Sequence, residues 1–287
     1  MKILMAGDTH GDGSHVRYLL QVAQREGCDR IFVLGDFGYW EHMNEGINFL
    51  DRANLNANLK NIPIYFLDGN HDKTSLLLEK YGWTAETGDG EGFLMVRPYV
   101  RYSPRGHQWE WGGKQFISLG GAYSVDKESR LEREAKTGKP ESLWFPEEEM
   151  TNEEMEEILD RAAPETVDVM LAHDKPRSST PGWNRKEFVE CFANQERLER
   201  AIEVLRPSYY FHGHLHYRYT EVRFNEEGKQ RFRLEGLDCN TQDQTSFLLN
   251  DAAAPQQSWY VFDTENPEVS EVSASFEIAL PPGMELS

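Results

Sequence analysis

The chain has 287 residues, of which 30 are Lys or Arg and 49 are Asp or Glu, giving a formal net charge of −19 at pH 7. A chain of this length buries a core without disulfide staples, and 39% hydrophobic with 12% aromatic residues is too rich for a disordered chain even at this charge. The acidity argues against broad affinity for nucleic-acid phosphates, which needs clustered Lys and Arg, but does not forbid binding of divalent metal.

The N-terminus, Met1 to Asp8, turns polar too early for a signal peptide, and no apolar run approaches the ~18 residues of a membrane span, so a cytoplasmic protein with no membrane contact is expected. Cys28, Cys191 and Cys239 are odd in number and never form a CxxC pair, which predicts reduced thiols and neither a disulfide framework nor a thiolate zinc site.

The first 70 residues alternate apolar strand-like runs (Ile3 to Met5, Ile31 to Leu34, Ile64 to Leu67) with segments of helical period, the pattern of a parallel sheet with helical crossovers. Val16 to Arg25 places Leu19, Leu20 and Ala23 on one helix face, and Met43 to Leu59 repeats Ile47, Leu50 and Leu55 at near-helical spacing. Each strand ends in a polar corner: Gly7-Asp8, Gly35-Asp36 and Asp68-Gly69-Asn70. Open α/β sheets place their sites at such strand ends.

After a glycine-rich break at Gly88 to Gly92, aromatic runs with turns at Gly112-Gly113 and Gly120-Gly121 predict antiparallel hairpins through about Ser118. Charged residues dominate from Asp126 to Asp160, read first as a solvated loop and helix face. Thr151-Asn152-Glu153-Glu154 has the form of a capping box opening a helix toward Leu159. Val167 to Ala172 reads as a strand, Glu196 to Leu205 as a helix stopped by Pro207, and Tyr209 to Phe211 as the next strand. Short β-like runs and turns, including Asn225 to Gly228, follow to about Ile278, and Pro281-Pro282-Gly283 is read as a loose tail.

Five small motifs stand in order, each after an apolar strand: Asp8-Thr9-His10, Gly35-Asp36, Gly69-Asn70-His71-Asp72, His173, and Gly213-His214-Leu215-His216. Imidazole nitrogens, carboxylates and an amide oxygen suit manganese, iron, zinc or nickel. A glycine before a ligand allows another chain segment to approach closely.

In this order and spacing the motifs resemble the calcineurin-like metallophosphoesterase superfamily, over about three quarters of the chain. The resemblance implies an α/β fold, a four-layer α/β/β/α sandwich with a dinuclear metal site at the C-terminal rim of the strands. It implies one domain over residues 1–287, with an acidic insertion at about 126–160 and extra strands at about 217–278. One ion would be held by Asp8, His10 and His216, a second by Asn70, His173 and His214, and Asp36 would bridge them. His71 would be the catalytic residue beside the scissile phosphate, neutral or protonated.

The implied cofactor is two divalent ions, manganese first. The implied activity is hydrolysis of phosphodiester or phosphomonoester bonds of small or nucleotide-like substrates through a two-metal-activated hydroxide. A nuclease of the same superfamily and an inactive metal-binding scaffold remain as alternatives. Arg97, Arg101 and Arg105 form the local basic strip that keeps the nuclease open. Many members continue the second motif as G-D-x-x-D, whereas Tyr39 stands at that last position here. That difference weighs against the phosphoprotein phosphatase branch. The stretches Gly120 to Asp126 and Leu143 to Glu149 are similar to a phage and actinobacterial group of these enzymes.

Other residues read more plainly. Asp72 is expected to cap the next helix ahead of orienting His71. His212 is read as a structural histidine, and Arg130 and Arg177 as surface charges ahead of phosphate clamps. Tyr39, Trp40 and His42 are read as packing ahead of cleft lining, while Pro181 to Asn184 is an even choice between a turn and a substrate-facing aromatic loop.

Overall fold

The computed structural model describes residues 1–39, 44–84, 92–162, 166–182, 188–224, 230–240 and 258–267. Its first sheet contains β1 (Lys2–Ala6), β2 (Arg30–Leu34), β3 (Ile64–Leu67), β4 (Leu94–Arg97), β5 (Val100–Tyr102) and β12 (Trp259–Asp263), in the order β12-β1-β2-β3-β5-β4. The second contains β6 (Gln108–Trp111), β7 (Lys114–Leu119), β8 (Val169–Ala172), β9 (Tyr209–His212), β10 (Tyr219–Phe224) and β11 (Gln230–Gly236), in the order β10-β11-β9-β8-β7-β6. Each sheet has four parallel strands at its centre and an antiparallel strand at either edge. All three early strands therefore pair as the sequence predicts.

Alternation within each strand builds the layers. Leu4 and Ala6 of β1 face outward onto α1 (Gly13–Glu26), α2 (Asn44–Lys60) and α3 (Thr74–Tyr81), while Ile3 and Met5 face inward toward the second sheet. In the second sheet Val169 and Leu171 point inward, and Met170 and Ala172 pack on α5 (Asn152–Ala162) and α6 (Phe192–Leu205). The result is the four-layer α/β/β/α sandwich. Its middle layer is aromatic: Phe32 of the first sheet stacks on Trp109 of the second at 5.6 Å between ring centroids and 2° between planes. Burying such a side chain is worth about 1.5–3 kcal/mol, and this layer locks the sheets face to face with their strand C-termini on one rim.

Asp12 opens α1 by accepting the Ser14 and His15 backbone N–H groups, and Gly27 closes it at φ 68. The inward face of α2 is Phe49, Leu50, Ala53 and Ala57, whereas Leu55 is 57% and Ile47 37% exposed. Leu55 lies five residues beyond Leu50, about 140° around the helix, so that part of the expected apolar face is corrected. The Gly112-Gly113 turn joins β6 and β7 with positive φ at both glycines, as a tight hairpin requires. The other edge of β7 pairs parallel with β8.

The acidic stretch between β7 and β8 divides in two. Its second half, α5, belongs to the outer helical layer through Met155, Ile158, Leu159 and Ala162. Thr151 and Glu154 form a reciprocal capping box, with N–H to side-chain oxygen distances of 2.7 and 3.1 Å. The first half is α4 (Lys127–Thr137), solvated on one side as expected but with Arg130 and Glu134 buried on the other. The Glu134 carboxylate accepts the backbone N–H groups of Glu141, Ser142, Leu143 and Trp144. Those bonds hold the carboxyl below its usual pKa against the opposing effect of burial and make the following loop an ordered cap.

Beyond the last motif, β10 and β11 extend the second sheet and β12 returns to the first. The Asn225 to Gly228 turn, residues 88–91 of the glycine-rich break, Trp40, His42, Trp183, Asn184 and all residues beyond 267 lie outside the described residues. The three cysteines are buried and none of them forms a disulfide. Among the described residues no helix is long and apolar enough to cross a membrane. Removing one arm of the capping box by Thr151→Ala is expected to lower stability by about 1 kcal/mol, read as a shift of the urea midpoint with an unchanged slope.

Candidate metal centre

Asp36 lies at the C-terminal end of β2 and is 2% exposed, with an unusual φ of 47°. Its carbonyl accepts the N–H groups of Thr9 and His10, at 3.2 and 2.8 Å, and its Oδ1 accepts that of His71 at 2.8 Å. The second and third motifs are thereby tied to the first. Asp36 Oδ2 then stands 3.6 Å from His10 Nε2, 3.7 Å from His71 Nε2 and 3.6 Å from His173 Nε2. Asp8, at the end of β1, accepts the His214 backbone N–H through Oδ1 at 3.0 Å and faces His216 Nε2 through Oδ2, also at 3.0 Å. The fifth motif is thus joined to the first.

Glycines make these approaches feasible. A Cβ on Gly35 would lie 2.1 Å from His173 Nδ1, and one on Gly213 would lie 2.1 Å from Asp8 Oδ1. Among the described residues, three groups have donor atoms close enough to share one ion: Asp8-His10-His216, His10-Asp36-His71 and Asp8-Asp36-His173. Asn70 Oδ1 converges on His173 Nε2 at 3.2 Å, and the His214 ring centroid is 5.0 Å from that of His173. All eight sequence-predicted site residues are therefore at one rim, although His214 lies outside the three tight groups.

The surrounding contacts orient the donor atoms. The Nδ1–H of His173 donates to the Leu34 carbonyl at 2.7 Å, and His10 Nδ1 to Asn240 Oδ1 at 3.2 Å, so Nε2 of each faces the cluster. Asn70 Nδ2 donates to the Ser124 hydroxyl, which donates to Glu148, turning Asn70 Oδ1 inward. The donor set of carboxylate, imidazole and amide oxygen fits divalent manganese, iron, zinc or nickel. The side chains of Asp8, Asp36 and His173 form a buried floor, while those of His10, His71 and His216 keep 22%, 33% and 25% of their surface open to solvent.

Charge crowding shapes the titration of the floor. Burial opposes ionisation of Asp8, but the charges of His173 and His216 hold its carboxyl at about 2. Burial likewise opposes charge on His173, and Asp36 and Asp8 overcome it and lift the imidazole to about 10. His71 differs: burial and the Arg130 guanidinium push it down to about 4 against the pull of Asp36.

Several residues play parts the sequence did not reveal. Asp72 does not cap α3, whose N-cap is Lys73, and among the described residues its carboxylate bonds no side chain. It accepts the N–H groups of Phe37, Gly38, Tyr39 and Gly69, because the second and third motif loops present those amides to one buried point. Arg130 is 5% exposed and donates to His71 Nε2 at 2.7 Å, so its reading as a surface charge is corrected. Arg177 stacks on Phe192 at 3.7 Å.

The basic strip is also absent as such: Arg105 pairs with buried Asp68, Arg97 with Asp51, and Arg101 covers Tyr65. His212 is structural as read, bonding Gly213 and Tyr219. Tyr39 is fully buried, as the packing reading expects. Asn240 follows β11 in Asp238-Cys239-Asn240, a strand with a polar corner like the other five, and that pattern was its available signal.

A family model for calcineurin-like phosphoesterases matches residues 1–218. The chain belongs to this family. As a metallophosphoesterase it falls among enzymes that hydrolyse phosphate esters. A lariat debranching enzyme of Schizosaccharomyces pombe is 23% identical over 303 residues, covering 96% of this chain; the chain spans 60% of that relative's length. The crystal structure of a dimetal phosphatase from Danio rerio shares the fold at a TM-score of 0.50 and 13% identity, with 91% of each chain covered. Another crystal structure reaches a TM-score of 0.56 at 14% identity, covering 93% of this chain and 96% of its own.

Two outcomes test the geometry. Gly35→Ala, which drives a Cβ into His173 at a φ of +94°, is expected to abolish stoichiometric Mn²⁺ uptake with the far-ultraviolet spectrum preserved; retention of the wild-type metal content refutes the packing argument. For chelator-treated protein, the raised His173 pKa contributes stability that is complete below about pH 6.5 and lost as pH rises through about 10. The stability lead of wild type over His173→Gln in urea is therefore expected to shrink between about pH 6.5 and about pH 10, and a lead that grows over that range contradicts it.

Proposed function

We propose that the chain is a two-metal phosphoesterase that hydrolyses phosphodiester or phosphomonoester bonds of small or nucleotide-like substrates, with residues 1–287 acting as one domain. The observation that carries this reading is Asp36 Oδ2, set 3.6–3.7 Å from three imidazole nitrogens, the placement of a carboxylate shared by two ions. Asp8, His10 and His216 would hold one ion, and Asn70, His173 and His214 the other, with Asp36 common to both. Such ions supply an acidified attacking water and offset charge on the phosphoryl oxygens.

The protein's own groups divide the remaining work. The buried floor keeps Asp8, Asp36 and His173 fixed in low dielectric, where their charges act strongly. The part-exposed edge of His10, His71 and His216 is the side from which an ester would approach. His71 would act there as a neutral imidazole. Its Nε2 accepts from a guanidinium that keeps its protons, so its hydrogen lies on Nδ1.

A nuclease is the second reading, favoured by the similarity to a lariat debranching enzyme. Manganese-loaded protein is expected to hydrolyse bis-p-nitrophenyl phosphate. Asn70→Ala and His71→Ala should each lower kcat by about 100-fold or more, as loss of a positioned acid–base or metal-holding group does. Absence of turnover on a broad ester panel rejects the enzyme reading. Cleavage of single-stranded or branched RNA at rates well above the small diester selects the nuclease.

A further inference from the structure

We infer that Arg130 is a substrate-binding residue, the cation that grips a phosphoryl oxygen on the side of the site facing α4; this rests on the phosphoesterase reading above. The guanidinium is fixed at three points: Nε to Asp126 Oδ1 at 2.8 Å, Nη1 to the Leu143 carbonyl at 3.2 Å and Nη2 to His71 Nε2 at 2.7 Å. Its side chain is 6% exposed; Asp126, with which it pairs, is 52% exposed, and the buried Glu148 carboxylate also feels its charge. Holding a guanidinium out of water is costly even with such neighbours. The fold nonetheless secures it, because Glu134, one helical turn further along α4, anchors the loop that presents the Leu143 carbonyl.

The third contact shows where the cation is aimed. His71 Nε2 lies 3.7 Å from Asp36 Oδ2, so the Arg130 guanidinium borders the cluster on its open side. The His71 ring offers Arg130 one nitrogen at Nε2 and no negative charge. A phosphoryl oxygen entering between the two offers a stronger, charge-assisted acceptor in the geometry that a planar guanidinium fork matches. The arrangement assigns separate tasks to neighbouring groups: Arg130 supplies fixed positive charge, and His71 supplies the nitrogen that holds the guanidinium in place until the anion arrives.

The test compares manganese-loaded wild type with Arg130→Met and Arg130→Lys. Binding of inorganic phosphate by calorimetry is expected to weaken about 10- to 100-fold in Arg130→Met, the scale of one charge-assisted hydrogen bond, with Mn²⁺ content and urea midpoint preserved. Arg130→Lys, which keeps the charge and loses the fork, should bind phosphate about 3- to 10-fold more weakly than wild type and also decides the matter if the methionine variant fails to fold. Phosphate affinity within twofold of wild type in the folded variant overturns the inference. Failure of the wild type to turn over any ester, alongside Arg130-dependent phosphate binding, would reject the catalytic reading and leave this one standing.

Discussion

One buried carboxylate organises the molecule's working end. Asp36 binds the first motif through its carbonyl and the third through Oδ1, and it turns Oδ2 toward imidazoles contributed by the first, third and fourth motifs. The aromatic layer between the sheets matters to function because it sets the two rims together. Asp36 and His10 come from the first sheet and His173 from the second, so a slip of one sheet against the other would part them.

The close packing of this rim follows a reciprocal rule. The glycine before one ligand leaves room for a ligand from another motif: Gly35 for His173, Gly69 for Asp36 and Gly213 for Asp8. His10, Asp36, His214 and His216 themselves hold positive φ values, a conformation that costs roughly 1–3 kcal/mol per residue. The hydrogen bonds at the site compel these conformations. Asp72 works from behind in the same way, gathering the amides of both Gly-Asp and Gly-Asn loops onto one carboxylate.

The layers and most of the site could be read from the sequence because their signals are local. Ile31 to Leu34 and Ile64 to Leu67 are short apolar runs ending in polar corners, and the five motifs recur at those corners. What escaped depends on contacts between distant segments. Arg130 meets His71 across 59 residues and Asn240 meets His10 across 230, and neither pairing leaves a trace in spacing. Leu55 misled through composition, since a leucine at an outward position of α2 looks the same in sequence as one turned inward. Asp72 misled through propensity, because an aspartate just before a helix is so often its cap.

The connection from β7 to β8 carries α4 on its first half and α5 on its second. Only α5 fills the outer layer of the sandwich, while α4 reaches over the rim and touches the cluster chiefly through one arginine. Parts that serve different ends therefore occupy consecutive, separable stretches of one crossover. A lineage could exchange the stretch that includes α4, altering its length, charge or reach, and leave the sheet, the helix beneath and the six clustered carboxylate and imidazole side chains undisturbed. Selectivity in such a molecule is free to drift while the reactive core stays constant.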